Sequence, residues 1–358
     1  MKFTLYPIYW IATEIDGAAF NLERLPFAIT EGVRVEFVGN KITAGAFDVW
    51  QKKLGTSRVE ELMTVRYALV HRYETEPMVV EGRIVGERFH SVESDKLVRM
   101  LAACLRLIRP MRQNVLTMRG SFADDDGPFE LTGFDLPPLH LQEVPEVQKL
   151  FKLRDQDIDD LRTYAPRFLE AMRGEFWKFR MAVQFHELGH FQALDWKARY
   201  LHWCSAIESI YTSHRWEHQG SLVATSRIRW LLGEQTSTYA PGDLSDLLED
   251  PRIAVGQIVD DLYDLRNFLA HGDKVPDAYF NDTLRVGFGG EVKRCEVLTE
   301  AASFIVRTSL LKILRDNLLA HFADAGPAEA YFGRQRLTRT ELQRAALADG
   351  ARANLPER

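Results

Sequence analysis

Hydrophobic and polar positions change their period once along this chain. Up to about residue 140 most segments alternate. Lys2 to Ile11, Val33 to Val38 and Leu62 to Tyr73 carry β-branched and aromatic residues in the pattern of half-buried strands. In the last of these, Met63, Val65, Tyr67 and Leu69 fall on one face. One helix interrupts them: Leu97, Met100, Leu101, Cys104, Leu105 and Ile108 recur at three- and four-residue steps. Ser94 fits its N-cap and Pro110 its stop. Asn114 to Phe122 and Phe129 to Phe134 flank Ala123-Asp124-Asp125-Asp126-Gly127, which reads as a hairpin turn. Its aspartates lack the alternating ligands and distal Glu of a calcium loop.

Pro137-Pro138 and Pro145 bracket an extended stretch, because proline disfavours helix in the residue before it. Beyond it the period becomes helical. Five main helices are predicted, over about 166–188, 195–213, 221–232, 252–271 and 294–321, with a long loop from Gly233 to Asp250. From about Phe322 the chain is Ala-, Arg- and Gly-rich, a tail or docking segment with one weak helix near Thr338 to Leu347. The expected organisation is an α+β domain over 1–145, an all-α helical bundle over 150–322 and a tail over 323–358. No internal repeat is visible.

A chain of 358 residues exceeds one typical core, which agrees with two domains. Hydrophobic content of 46% with 27% charged residues describes a soluble globular protein. No apolar run approaches the eighteen or more residues of a membrane span. The opening Met-Lys-Phe-Thr-Leu-Tyr-Pro lacks a signal peptide's apolar region. Cys104, Cys204 and Cys295 lie far apart in apolar helical contexts and read as reduced core thiols, so the cytoplasm is the expected address. A net charge of −6 argues against a protein that coats phosphate backbones non-specifically. Any action on RNA must use a local basic cleft or a partner that delivers the RNA.

The fourth predicted helix ends in Asp261-Leu262-Tyr263-Asp264-Leu265-Arg266-Asn267-Phe268-Leu269-Ala270-His271-Gly272. Asn267 and His271 are four apart and share a helix face. Arg266 is offset by one position, but its long stem and five-donor fork can reach round to that face. Gly272 fits the left-handed cap that ends a helix, which puts His271 in the last turn. Residues of these types can hold a phosphodiester and move protons on it without a metal. An Arg and a His in a last turn also serve simply to offset terminal carbonyls.

Arg-Asn-x-x-x-His-Gly, preceded by Tyr-x-Leu, resembles the R-x4-6-H motif of HEPN domains, all-helical ribonucleases of bacterial defence and toxin systems and of RNA processing. Ala206-Ile207-Glu208-Ser209-Ile210, in a Trp-rich helix, is similar to the Ala-Leu-Glu-x-Leu helix of the Apea-like HEPN subgroup. Arg227-Ile228-Arg229-Trp230-Leu231-Leu232-Gly233 resembles the helix that follows it there. Order and spacing match from roughly Asp155 to His321. The resemblance implies a HEPN-like bundle with endoribonuclease activity. Arg266, Asn267 and His271 would be catalytic, without cofactor or metal. RNA would be cut by 2′-hydroxyl attack, leaving a 2′,3′-cyclic phosphate and a 5′-hydroxyl. It further implies a homodimer through the helical domain, so that two Arg and two His converge on one cleft. The implied setting is bacterial antiviral defence or a toxin system. Residues 1–145 would then be a sensor or regulator, answering to a regulatory protein or a phage-derived trigger. A HEPN module that binds RNA or protein without cutting is the alternative, although intact Arg266 and His271 favour activity.

A third reading comes from His186-Glu187-Leu188-Gly189-His190, a literal H-E-x-x-H. Two His one turn apart can bind zinc with the Glu as general base of a peptidase, and Glu208 could supply a third ligand. The metzincin continuation fails, since Ala193 and Trp196 stand where Gly and His would follow. Glu208 also has a place in the HEPN-like pattern. His214, Glu217 and His218 read as a polar helix exit. Trp196, Trp203, Trp216 and Trp230 read as core and interface.

Overall fold

The computed structural model describes residues 2–7, 26–30, 32–37, 67–73, 77–87, 90–109, 117–122, 129–135, 155–190, 195–212, 220–233, 255–286 and 290–333. It divides into two compact units. Residues 1–173 and 190–193 form the first, and residues 174–189 and 194–358 the second.

The first unit is built on a six-stranded antiparallel sheet. Its strands are β1 (Lys2–Pro7), β2 (Phe27–Thr30), β3 (Val33–Phe37), β4 (Tyr67–Tyr73), β7 (Thr117–Phe122) and β8 (Phe129–Asp135), in the order β2-β3-β4-β1-β7-β8. A separate hairpin pairs β5 (Pro77–Val80) with β6 (Arg83–Glu87). Alternation works as expected on β3, where Val33 and Val35 are buried and Arg34 is exposed. Val35 registers with Leu69 of β4. Beside them Arg72 grips Glu36 through Nε at 3.1 Å and Nη2 at 2.7 Å, a cross-strand fork.

Helix α1 (His90–Ile108) packs on β1, β4 and β7, burying Val98, Leu101, Ala102, Cys104 and Leu105. The periodicity found this helix but not its start. Ser94 lies inside it, buried, with its hydroxyl 2.8 Å from His71 Nδ1 of β4. Helix α2 (Asp155–Arg173) packs on α1 and β2. The buried side chains of Arg109 and Asp157 approach to 3.7 Å. The expected break at 145–150 is therefore not where the compact units divide, since α2 belongs with the sheet.

The expected single helix over 166–188 is two. α2 stops at Arg173, and α3 (Trp177–Gly189) begins after Gly174-Glu175-Phe176. Pro166, expected in a first turn, lies within α2 on its exposed side. There its ring can lie toward solvent, while the helix forgoes the bond to the Arg162 carbonyl.

In the second unit α3 is followed by α4 (Trp196–Tyr211), α5 (Gly220–Leu232), α6 (Val255–His271) and the short α7 (Ala278–Asn281). A hairpin of β9 (Thr283–Val286) and β10 (Gly290–Lys293) then leads into α8 (Arg294–Arg315). Asp195 caps α4, its Oδ1 accepting the Ala198 N–H at 2.8 Å. α8 is the central helix. It packs on α3, α4, α5 and α6 and buries Val297, Leu298, Ala301, Ala302, Ile305, Val306, Leu310 and Ile313. The predicted tail starts too early. Leu319–Phe322 form a 3-10 turn, and α9 (Ala325–Gly333) buries Ala328 and Phe332. Phe332 packs at a tilt against Tyr211 and edge-on against Phe322, with Arg227 over its ring.

The Ala123–Gly127 turn, the stretch from 136 to 154, His214, Trp216, Glu217, His218 and the Thr338–Leu347 helix lie outside the described residues. Among the described residues, no helix is long and apolar enough to cross a membrane.

Candidate functional site

Helix α6 carries the Arg-Asn-x-x-x-His segment, and its sequence sets which way each residue faces. Val255, Ile258, Val259, Leu262, Tyr263 and Leu265 form its buried side. Asp260 is exposed, Asp264 and Asn267 are half-buried, and His271 is exposed in the last turn. The end is closed as the glycine predicts. Gly272 has φ +73°, and the Asp273 N–H returns to the Phe268 carbonyl at 2.9 Å, the Schellman arrangement.

Arg266 follows Tyr263 by three residues and Leu262 by four, so it leaves the helix along the edge of the buried side. Its Nη2 lies 2.7 Å from Glu208 Oε1 of α4, the two side chains being 27% and 30% exposed. Its Nη1 donates to Asn267 Oδ1 at 3.3 Å. A guanidinium can only donate, so this contact fixes the Asn267 oxygen as acceptor and leaves its NH2 to point elsewhere.

The structure thus brings Arg266 and Asn267 together but does not bring His271 to them. His271 lies five positions after Arg266, about 140° around an α-helix. Among the described residues the His271 ring has no hydrogen-bond partner. Arg266 thus reaches Asn267 through one terminal nitrogen, while the other turns to the half-buried Glu208 carboxylate.

Tyr263 and Cys204 lie near enough to Glu208 and Arg266 to feel their charges. Tyr200 donates its hydroxyl to the Leu262 carbonyl, and Tyr211 shares a 2.6 Å hydrogen bond with Ser309. Tyr263 is 4% exposed, and its hydroxyl has no hydrogen-bond partner among the described residues. Burial pushes the Glu208 carboxyl up, and Arg266 partly reverses the effect. Burial also raises the Cys204 thiol and the Tyr263 phenol, the latter helped by the Glu208 charge. The motif alone did not single out Tyr263. Its place one turn before Arg266 was the available clue.

The other cations along α6 are already matched. Arg229 lies 2.7 Å from Asp260, and Arg294 pairs with Asp261 and stands 3.5 Å from Asp282. The local basic excess expected for gripping RNA is not present on this helix.

The His-Glu-Leu-Gly-His stretch has a packing explanation. His186 is fully buried, 3.6 Å from Glu187, and its carbonyl accepts the Trp203 indole N–H at 3.2 Å. A Cβ on Gly189 would stand 2.6 Å from Trp203 Cδ1 and 2.7 Å from Cε2, so glycine is what lets α3 and α4 pack this closely. The helix ends at Gly189, which leaves His190 in the following turn. Glu208, the imagined third ligand, is engaged with Arg266. Among the described residues no group of three or more His, Cys, Asp or Glu could hold a metal ion.

No family model, curated protein or solved structure matches the chain.

Proposed function

We propose that the chain is a metal-independent endoribonuclease of the HEPN type, acting in defence or as a toxin, with the helical unit as the nuclease. The observation that carries this reading is the Arg266–Asn267 contact beside an exposed His271 at a capped helix end. RNA supplies its own nucleophile. A base removes the 2′-hydroxyl proton, the 2′ oxygen bonds to phosphorus, and the 5′ oxygen leaves with a proton from an acid. A histidine can fill either proton role near neutrality. Arg266 keeps three N–H donors beyond the two it uses, enough for charge-assisted contacts to phosphate oxygens. Its partner His271 lies on another face of the same helix. A second copy of the chain is therefore the proposed source of the complementary group, in a two-fold dimer where each motif completes the other. The first unit is assigned the regulatory role.

The non-cutting alternative has its own support in the ion pairs that occupy Arg229, Arg266 and Arg294. One experiment decides between them. The full-length protein is incubated with end-labelled RNA in EDTA. Fragments ending in a 2′,3′-cyclic phosphate are expected, and binding without cleavage would overturn the nuclease.

A further inference from the structure

Tyr263 differs from Tyr200 and Tyr211, two other buried tyrosines of this unit. Tyr200 and Tyr211 satisfy their hydroxyls, whereas that of Tyr263 is buried with no partner among the described residues. A buried hydroxyl left unpaired is costly, and native chains carry few. The charge that most influences this phenol, after burial itself, is the Glu208 carboxylate. That carboxylate already holds Arg266 at 2.7 Å. A donor without an acceptor therefore stands near an acceptor shared with the group assigned to phosphate.

We propose that Glu208 is exchanged between two donors: it holds Arg266 while the site is empty, and passes to the Tyr263 hydroxyl when an RNA phosphodiester takes the guanidinium. The inference rests on the reading of Arg266 as a phosphate ligand. Both terminal nitrogens of Arg266 are committed, Nη2 to Glu208 and Nη1 to Asn267. A phosphate gripped along that edge competes with these two acceptors for the guanidinium's charge and donors. The carboxylate released is 30% exposed, so losing its partner disfavours it, with solvent offsetting part of the cost. The Tyr263 hydroxyl is a ready replacement. It gives up no hydrogen bond to any described residue. The exchange would make the unpaired hydroxyl a property of the empty state alone.

The test uses the full-length chain and a 2′-O-methyl RNA oligonucleotide, which keeps the phosphates and lacks the nucleophile. Tyr263→Phe is expected to raise its Kd about three- to tenfold, the loss of one hydrogen bond. The same variant should melt at or above the wild-type Tm, because it removes the unpaired group. A merely structural tyrosine would do the reverse, lowering Tm and leaving Kd alone. In a Glu208→Gln background, where no carboxylate is released, adding Tyr263→Phe should leave Kd unchanged. A wild-type Kd in Tyr263→Phe, or an undiminished effect in the Gln background, overturns the exchange, as does a wild-type chain that binds no oligonucleotide. Cleavage of unmodified RNA is followed in parallel. Binding with this tyrosine dependence but no cutting removes the nuclease and keeps the exchange. Cutting with a Kd indifferent to Tyr263 does the opposite.

Discussion

The Trp203 indole occupies the space where Gly189 has no side chain, and its N–H caps the His186 carbonyl at 3.2 Å. Gly189→Ala should therefore destabilise the protein by about 1–3 kcal/mol through overpacking. Within an unobstructed helix the same change would be stabilising, by roughly 1 kcal/mol. The sign in a denaturant melt is decisive, and a higher midpoint for the variant would refute close packing at this site.

His186→Ala should leave RNA cleavage per folded molecule unchanged while lowering stability by at least about 2 kcal/mol, as emptied core positions do. The purified protein should hold no stoichiometric zinc. Elemental analysis returning about one zinc per chain, the occupancy of a catalytic zinc site, would restore the peptidase reading.

His271→Ala and Arg266→Ala should each slow RNA cleavage by about a hundredfold or more. Their stabilities should differ. His271 is exposed, so its loss should leave Tm unchanged. Removing Arg266 strands the Glu208 carboxylate, and solvent screening limits the cost to about 1 kcal/mol. Wild-type rates in either purified variant would remove that residue from the catalytic assignment.

Burial lowers the pKa of His71 in the first unit and of His202 in the second. Each is favoured neutral in the fold, so the native state binds fewer protons than the unfolded chain. The stability they contribute is fully present above the unfolded value, about 6.5. It is lost as pH falls below that value through the lower folded one. Unfolding measured between pH 7.5 and 5 should show this decline, and His71→Gln with His202→Gln should flatten it. An unchanged slope in the double variant would assign the decline to other groups.

Mixing His271→Ala chains with Arg266→Ala chains tests the shared cleft. A mixed dimer retains one intact Arg266 and one intact His271, on different subunits, and should recover activity that neither parent has. Recovery should follow the time course of subunit exchange. A chain that stays monomeric by light scattering at micromolar concentration while still cutting RNA would rule out the composite site.

Much of the fold was legible where one period dominates. Val33 and Val35 alternate into the core, and Met100, Leu101, Cys104 and Leu105 of the predicted stripe are buried, although residues 101–107 are buried all round. Boundaries failed where local chemistry competed with tertiary packing. Ser94 has the composition of an N-cap, yet it is buried against His71 from a distant strand, which no local pattern encodes. The apolar run through Phe168, Met172, Phe176 and Phe179 hid a break, because both flanking helices need apolar faces. At the site, the cap at Gly272 followed from residue type alone. The direction of Arg266 did not, since it depends on a carboxylate 58 positions earlier in the chain.

The approach of Asp157 to Arg109 has a consequence for dissection of the chain. A fragment beginning near residue 150 would carry α2 away from the helix and sheet it covers, exposing Ile158, Leu161, Ala165 and Phe168 to water. It would also remove a buried carboxylate facing Arg109. The sheet, α1 and α2 thus form one compact body. A cut at Gly174 instead would leave that body whole and release a fragment with its own central helix, the sounder starting point for asking whether the nuclease assignment survives alone.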